Sequence, residues 1–211
     1  MSIVANWKLN GNANDALGVN NGTPTDITYK QGIENQAAIF NGTTSKILLA
    51  SNAALNLTNI FSISLIMRQA ANTKNQKLIG SQKYYIAGFN GNWILRSGNT
   101  TRIDFASYNG TANEEYNTFT FPNFQNNYRH LVITCNGTVM RAFMDSKEST
   151  DGAKAHTKSL IAGSVSGLII GNITRIGNVA YNGLQDDVRI FNHVLSQTEM
   201  KNIMMYYKGF F

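Results

Sequence analysis

A strand pattern runs directly into a helix start over residues 183–200, and this order constrains the fold more than any other feature of the chain. The apolar-rich run 188–191, which follows two adjacent aspartates, is typical of a strand. Ser196 and Glu199 then form a Ser-x-x-Glu capping box, in which each side chain accepts a hydrogen bond from the other residue's backbone N–H. The sequence therefore predicts a closing strand and a helix over 196–207. One face of that helix is apolar: Met200, Ile203, Met204 and Tyr207.

Turn signals divide the rest of the chain into short segments. Asn-Gly pairs, which tolerate the positive φ angles of tight hairpin turns, stand between strand-like runs at 41–42, 90–91, 109–110 and 136–137. Apolar and polar residues alternate over 61–68, as expected for a strand with one buried face. The pattern yields about eleven to thirteen strands and one helix, which is typical of a sandwich or jelly roll. Because no linker-like stretch divides the chain, we predict a single domain over residues 1–211.

The composition favours a globular chain rich in β structure. Hydrophobic residues make up 43% and charged residues only 14%, so polarity comes mainly from Asn, Thr, Ser, Gln and Gly. The net charge of +6 arises from scarce acids rather than from clustered bases. Without an arginine-rich strip or a nucleic-acid motif, we expect no nucleic-acid partner. The single cysteine, Cys135, lies in an apolar run and is predicted to pack in the core.

The N-terminal segment and the apolar runs bear on where the protein resides. Residues 1–7 lack the basic and apolar stretches of a secretory signal. No apolar run approaches the roughly 20 residues that a membrane helix needs. We therefore expect synthesis in a cytoplasm without cleavage, and no membrane insertion.

Taken in order, the motifs resemble those of the laminin-G-like, concanavalin A-like lectin/glucanase family, in the branch common in bacteria and their phages. Residues 183–199 fit its closing signature, Gly-x-(Ile/Leu)-Asp-Asp-Val-Arg-(Ile/Val)-(Tyr/Phe)-Asn-x-x-Leu-Ser-x-x-Glu. Segments that resemble earlier family strands and loops extend over nearly the whole chain: 7–23, 37–42, 61–64, 128–134 and 168–171. The resemblance implies a concanavalin A-like jelly-roll sandwich of two antiparallel sheets with one short C-terminal helix. Tyr128 replaces the usual Trp, and residues 74–116 match only loosely.

The resemblance also implies a structural calcium site. In this family, acids of the opening loop and of the closing Asp-Asp strand often help to hold calcium, which takes about six to eight oxygen ligands. The candidate ligands are Asp15, Asn20, Asp186 and Asp187, provided that the first and last strands are neighbours. Consecutive strand residues point to opposite faces, so Asp186 and Asp187 are not expected to aim at one point. The alternative is that one aspartate pairs with Arg189 or an opening-loop amide while the other is solvated.

Catalysis is not expected, although glycosidases of the same fold form an alternative. Such enzymes need two carboxylates that flank the scissile bond. The adjacent Glu114 and Glu115 would face apart on an extended segment, so we interpret them as solvated loop charges.

Candidate sugar contacts lie in the loosely matching middle of the chain. This region also contains Tyr84 and Tyr116, and the residues selected from it combine aromatic rings with a polar donor: Tyr85, Trp93, Arg96 and Tyr108. A pyranose presents an apolar C–H face and a hydroxyl rim, which such side chains can contact together. The alternative is that these residues alternate into the core or into cross-strand pairs.

The last residues suggest an assembly contact. Phe210 and Phe211 end a segment too apolar to remain in water, so it either folds back on its own sandwich or docks on another chain. The expected function is a non-catalytic carbohydrate-binding or adhesion module on a phage virion surface, in a decoration, fibre or tail-associated protein. Its expected partners are host or environmental glycans, other virion proteins and further copies in a homo-oligomer. A purely structural virion protein and an extracellular location stay open as alternatives.

Overall fold

The structure is a computed structural model that describes residues 2–33, 35–70, 75–82, 92–108, 114–157, 160, 167–172 and 179–207. The first sheet contains β1 (Ile3–Trp7), β3 (Thr28–Gln31), β4 (Gln36–Asn41), β6 (Ile60–Gln69), β11 (Arg129–Asn136), β12 (Val139–Met144), β13 (Lys147–Glu148), β14 (Lys154–Ala155) and β16 (Asn182–Phe191). The second sheet contains β2 (Gly22–Thr25), β5 (Lys46–Leu49), β7 (Gln76–Ser81), β8 (Asn92–Ser97), β9 (Arg102–Tyr108), β10 (Glu114–Thr120) and β15 (Leu168–Ile170). A 3₁₀-helix spans Ala53–Leu55, and the helix α1 spans Gln197–Met205.

Both sheets are antiparallel. The strand order is β13-β12-β11-β6-β16-β4-β3 in the first sheet and β10-β9-β8-β7-β15-β5-β2 in the second. The long strand β16 pairs with β6 along one edge, while its other edge pairs first with β4 and then with β1. The predicted all-β class, a sandwich of two antiparallel sheets with one short C-terminal helix, is confirmed.

The main core lies between the two sheets and is built from alternate strand residues. The first sheet contributes the apolar face that the alternation over 61–68 predicted: Phe61, Ile63, Leu65 and Met67. The second sheet contributes Trp93 and Phe105, whose rings are stacked with centroids 5.7 Å apart and planes 9° apart. Cys135 is a free, buried thiol of this core, as predicted.

Helix α1 covers the outer face of the first sheet. The predicted capping box is present: the Ser196 hydroxyl accepts from the Glu199 N–H at 3.3 Å, and the Glu199 carboxylate accepts from the Ser196 N–H at 2.7 Å. The helix packs on a second buried apolar cluster, so the central strands are covered on both faces: Ile66, Val132, Phe143, Phe191, Leu195, Met200, Ile203 and Tyr207. Within the described ranges, no helix has the length and apolarity to cross a membrane. Phe210 and Phe211 lie outside the described residues.

A histidine is buried in the same face of the first sheet. The Nε2 atom of His130 lies 2.8 Å from the Ser64 hydroxyl. Burial, and then the charge of Arg189, lowers the pKa of His130 to about 3. His130 is therefore a neutral, hydrogen-bonded side chain at physiological pH.

The Asn-Gly turns at 136–137 and 41–42 differ in the strands that they connect. Residues 136–137 close a hairpin between β11 and β12, as predicted. The turn at Asn41 and Gly42 instead carries the chain from β4 in the first sheet to β5 in the second, so the predicted hairpin there is wrong. Asn41 Oδ1 accepts from the backbone N–H groups of residues 43, 44 and 45, and Gly42 has a φ of 78°. Asn-Gly sets these local angles but does not choose the strand with which the following segment pairs.

Candidate functional site

A β-bulge in β16 places both adjacent aspartates on the helix-covered side of the first sheet. The register with β6 shifts between Asp186 and Arg189, and Asp187 has a φ of 47°. Gln185 still points between the sheets, since its amide donates to a carbonyl of β7. Asp186 and Asp187 are instead near Tyr207, which follows the helix α1. Burial raises the pKa of Tyr207 most, and the charges of Asp187 and Asp186 raise it further. The expected opposite orientation does not hold, because a bulge adds one residue to the alternation.

Asp187, Arg189 and Tyr207 form a buried polar cluster between β16 and the end of α1. The Nη2 atom of Arg189 lies 2.5 Å from Asp187 Oδ2, and it also donates to the Tyr207 oxygen at 3.3 Å. The Tyr207 hydroxyl donates to the same Asp187 oxygen. The side chains of Arg189 and Asp187 are only 16% and 5% exposed. One aspartate thus pairs with Arg189, the arrangement that the sequence left open as the alternative to a metal site.

Asp15 lies on the other edge of β1. Its Oδ1 atom accepts from the backbone N–H groups of Asn6 and Leu17, at 2.9 and 3.1 Å. Its Oδ2 atom accepts from the backbone and side-chain amides of Asn20, at 3.0 and 3.1 Å. The first and last strands are neighbours, as the calcium prediction required, but β1 pairs with β16 through the opposite edge. The strand β1 therefore separates Asp15 from the two aspartates of β16.

These positions do not fit one calcium site. Calcium prefers about six to eight oxygen ligands around one point. The oxygens of Asp15 already accept four N–H groups, and Asp187 is held by Arg189 and Tyr207. Among the residues that the structure describes, no three His, Cys, Asp or Glu side chains are grouped so that they could hold a metal. Asp15 and Asn20 instead stabilise the opening loop by hydrogen bonds, and Asp187 stabilises the closing strand by its ion pair with Arg189.

Chelation is therefore expected to leave the melting temperature unchanged. An ion that binds only the folded protein raises this temperature, and removing the ion lowers it again. The measurement is thermal unfolding in EDTA and in calcium chloride at matched ionic strength. A rise in calcium that EDTA reverses would contradict the geometry described for Asp15 and Asp187.

The outer face of the second sheet carries a braced set of polar residues. In the strand register, Arg96 lies beside Asp104, and Asp104 lies beside Thr118. The Asp104 carboxylate is 1% exposed and accepts from Arg96 Nε at 3.1 Å and from the Thr118 hydroxyl at 2.9 Å. Arg102 forms a second ion pair with it at 3.1 Å. With the neighbouring Tyr116, the residues Arg96, Asp104 and Thr118 form what we call the Arg96–Tyr116 surface.

Tyr116 lies against the guanidinium of Arg96. The ring centroid is 4.9 Å from the guanidinium carbon, within cation–π range, and the residue is 43% exposed. Asp104 holds Arg96 through Nε, so the guanidinium is oriented before any ligand arrives. The surface presents an aromatic ring beside N–H and hydroxyl groups, which suits a ligand with one apolar face and a polar rim.

The structure separates the four predicted sugar-contact residues. Arg96 belongs to the Arg96–Tyr116 surface, and Tyr108 lies on the same sheet face in a small apolar cluster but is only 5% exposed. Trp93 points into the main core, is 2% exposed and stacks on Phe105. A sugar cannot reach that ring, so the alternative of core packing describes Trp93. Tyr85 lies outside the described residues.

Sequence reasoning did not select Asp104 or Thr118, and it considered Tyr116 only as one of several aromatic residues in the loosely matching middle of the chain. The two-residue spacing of Tyr116 and Thr118 within β10 shows that they share a face of that strand. The cross-strand register brings Tyr116 and Thr118 to the face that Arg96 occupies, and it is set by how the two strands pair. The Asn-Gly pair at 109–110 indicates a turn, but it does not specify which residues of β9 and β10 lie opposite each other.

Glu115 faces away from the Arg96–Tyr116 surface. Its carboxylate accepts from the Thr157 N–H at 3.0 and 3.1 Å and lies 3.2 Å from Nδ1 of His156. The side chain is 16% exposed, so the solvated state predicted for Glu115 does not hold. Asp104 and Glu115 thus lie on opposite faces of the second sheet, where they cannot flank a single glycosidic bond. The side chain of Glu114 is outside the described part of the chain.

Comparison with known proteins identifies the sequence pattern. A model of the concanavalin A-like lectin/glucanases superfamily matches residues 41–201, well over half of the chain. No curated protein shows significant sequence similarity to the chain.

Solved structures share the fold. Domain 4 of AbnA, a GH43 extracellular arabinanase from Geobacillus stearothermophilus in complex with arabinotriose, aligns with a TM-score of 0.75 and 18% identity, over 96% of this chain and 98% of that one. The binding domain of Paraclostridial Mosquitocidal Protein 1 aligns with a TM-score of 0.76 and 14% identity, over 98% and 52%. A structure from work on botulinum neurotoxin type C, whose cell entry depends on two ganglioside molecules, aligns with a TM-score of 0.73 and 16% identity, over 98% and 51%. The chain spans about half the length of the two toxin chains.

Proposed function

This chain belongs to the concanavalin A-like lectin/glucanase superfamily, and we propose that it is a non-catalytic glycan-binding module that holds its ligand on the Arg96–Tyr116 surface. The observation that carries the proposal is the partly exposed Tyr116 ring held against Arg96, which Asp104 braces. The class of ligand is supported by the arabinotriose bound to the AbnA domain and by the gangliosides on which the botulinum toxin depends.

The surface can bind a pyranose through two kinds of contact. The C–H face of the sugar packs on the exposed part of the Tyr116 ring, which removes apolar area from water. The terminal nitrogens of Arg96 and the hydroxyl of Thr118 bond to the sugar hydroxyls. Because the Asp104 bonds orient Arg96 and Thr118 in advance, less side-chain entropy is lost on binding.

The acids near this surface support binding rather than hydrolysis. Asp104 is only 1% exposed and its carboxylate is engaged by Arg96 and Arg102, so it cannot reach a glycosidic bond. It is therefore a positioning residue for Arg96. Glu115, on the other sheet face, is engaged with Thr157 and His156.

Replacing Tyr116 with alanine is expected to weaken glycan binding by about tenfold or more. Aromatic side chains that anchor an interface commonly contribute about 2 kcal/mol or more, and a tenfold change in affinity corresponds to about 1.4 kcal/mol. The measurement is affinity electrophoresis of the purified protein in gels that contain arabinan, xylan, galactomannan, β-glucan or ganglioside-bearing vesicles. Leu48→Ala is the matched control, because Leu48 lies on the same sheet face, is 39% exposed and is distant in strand order from β10. Wild-type protein that no glycan retards, or retardation that Tyr116→Ala leaves intact, would contradict the proposal.

We also propose the surface of a phage virion as the setting of this module, with other virion proteins or further copies of the chain as neighbours. An extracellular setting and a purely structural virion role are the alternatives. These proposals concern where the module is displayed, and they rest on the sequence resemblance alone. The glycan-binding proposal for the Arg96–Tyr116 surface does not depend on them.

A further inference from the structure

A groove of about 380 Å³ opens between β1 and α1. It lies on the helix-covered side of the first sheet, whereas the Arg96–Tyr116 surface lies on the outer face of the second sheet. The two sites therefore face away from each other across the sandwich. A groove of this volume is large enough for a sugar unit.

The rim of the groove carries an exposed tyrosine beside a cation. Tyr206 is 61% exposed at the C-terminal end of α1, and the ammonium of Lys8 lies 5.9 Å from its ring centroid. Its ring meets the buried Tyr207 ring edge-on, with centroids 5.4 Å apart, which sets its orientation. This tyrosine and cation repeat the pairing of Tyr116 with Arg96 on the second sheet.

The floor of the groove has unmet hydrogen-bonding capacity. Asn6 and Arg189 stand opposite each other in the pairing of β1 with β16, and Asn6 is 8% exposed. Asn6 Oδ1 and Arg189 Nε have no hydrogen-bond partner within the described part of the chain. A buried polar atom without a partner costs free energy, and a small rotation that turns either side chain toward the groove would let a ligand hydroxyl offset this cost.

The wall of the groove favours an uncharged ligand. Glu199 lines it, and its carboxylate is held by Ser196 and His193. Its negative charge balances the Lys8 ammonium on the rim, and Asp187 neutralises Arg189, so the lining has no excess charge that would attract an ionic sugar. Asn202, exposed on the next turn of α1, adds both an amide donor and an acceptor for sugar hydroxyls.

We propose that this groove is a second saccharide site, which takes a neutral pyranose unit of an oligosaccharide or polysaccharide. The proposal rests on the glycan-binding function proposed for the Arg96–Tyr116 surface. With two sites on opposite faces, one protein molecule engages two glycan chains, and its retention on a polysaccharide exceeds that of either site alone.

Tyr206→Ala and Asn202→Ala test the groove in gels that contain arabinan, xylan, galactomannan or β-glucan. Each is expected to weaken retention by about tenfold or more relative to wild type. Met205→Ala is the matched control, because Met205 is 51% exposed and adjacent to Tyr206 but does not line the groove. Because Tyr206 and Asn202 are exposed, both variants are expected to keep the wild-type melting temperature, which is checked first.

Bivalency supplies an independent readout. Wild-type protein is expected to cross-link the polysaccharide that it binds, measured as light scattering, whereas Tyr206→Ala and Tyr116→Ala each bind without cross-linking. Retention and cross-linking of Tyr206→Ala at wild-type levels would overturn the second site and leave the proposed function standing. Wild-type protein that none of these polysaccharides retains would overturn the second site, and protein that ganglioside-bearing vesicles also fail to retain would overturn the proposed function as well.

Discussion

Replacing Trp93 with alanine is expected to destabilise the protein by about 3–5 kcal/mol, the usual range for removing a large aromatic side chain from a core. Trp93 is 2% exposed, and its ring stacks on Phe105 at 5.7 Å between the two sheets. Alanine would leave a cavity bounded by both sheets, and close-packed neighbours relax only partly into such a space. The measurement is equilibrium urea unfolding of wild type and variant.

The matched comparison is Tyr116→Ala on the outer face of the same sheet. Tyr116 is 43% exposed and contacts Arg96 through a cation–π interaction, so we expect a loss of less than about 1 kcal/mol. The two variants should therefore separate stability from binding: Trp93→Ala shifts the unfolding midpoint, and Tyr116→Ala shifts glycan retention. A Trp93→Ala variant with wild-type stability and lost retention would show that Trp93 contacts sugar after all.

Replacing Arg189 with methionine is expected to cost about 3–5 kcal/mol, because it leaves the buried Asp187 without its cation. The Asp187 side chain is 5% exposed, and Tyr207 would remain as a neutral donor to it. Since Tyr207 follows α1 and bonds to this carboxylate, the loss is expected to loosen the packing of the helix as well. Urea unfolding measures the stability, and hydrogen exchange of the amides in α1 reports the helix.

The control for this variant removes both charges. Asp187→Leu with Arg189→Met replaces the ion pair by apolar side chains, and such replacements are often neutral in free energy. We expect the double variant to be clearly more stable than Arg189→Met alone. A single variant as stable as wild type would mean that Asp187 is solvated rather than buried.

Local sequence signals were sufficient to predict much of the fold. The alternation over 61–68 and the capping box at Ser196 each depend on residues close in the chain, and the structure confirms both. The family signature then ordered these elements, because it covers the closing strand and the helix that follows.

The remaining differences arise from contacts between distant residues. The bulge at Asp187 depends on how β16 pairs with both β6 and β1, and a pattern of period two contains no mark of the extra residue. The turn at Asn41 and Gly42 joins the two sheets because β5 pairs with β15 and β2 rather than with β4. Neither the bulge nor the crossing between sheets is evident from the residues adjacent in the sequence.

The candidate site was predicted only in part for the same reason. Arg96 was identified by its chemistry, and Trp93 was selected by the same argument although the alternation of β8 sends it inward. The partners of Arg96, which are Asp104 and Tyr116, come from two other strands. Composition can indicate a sugar-binding surface, but the strand pairing decides which aromatic ring is exposed on it.

The most direct test of the account is an NMR titration of isotopically labelled protein with an oligosaccharide of the glycan that retains it. We predict chemical-shift changes at the amides of Arg96, Asp104, Tyr116 and Thr118, and at the Arg96 Nε–H, with no release of new reducing ends. Changes confined to other parts of the sandwich, with these five signals unmoved at saturation, would contradict glycan binding on the Arg96–Tyr116 surface.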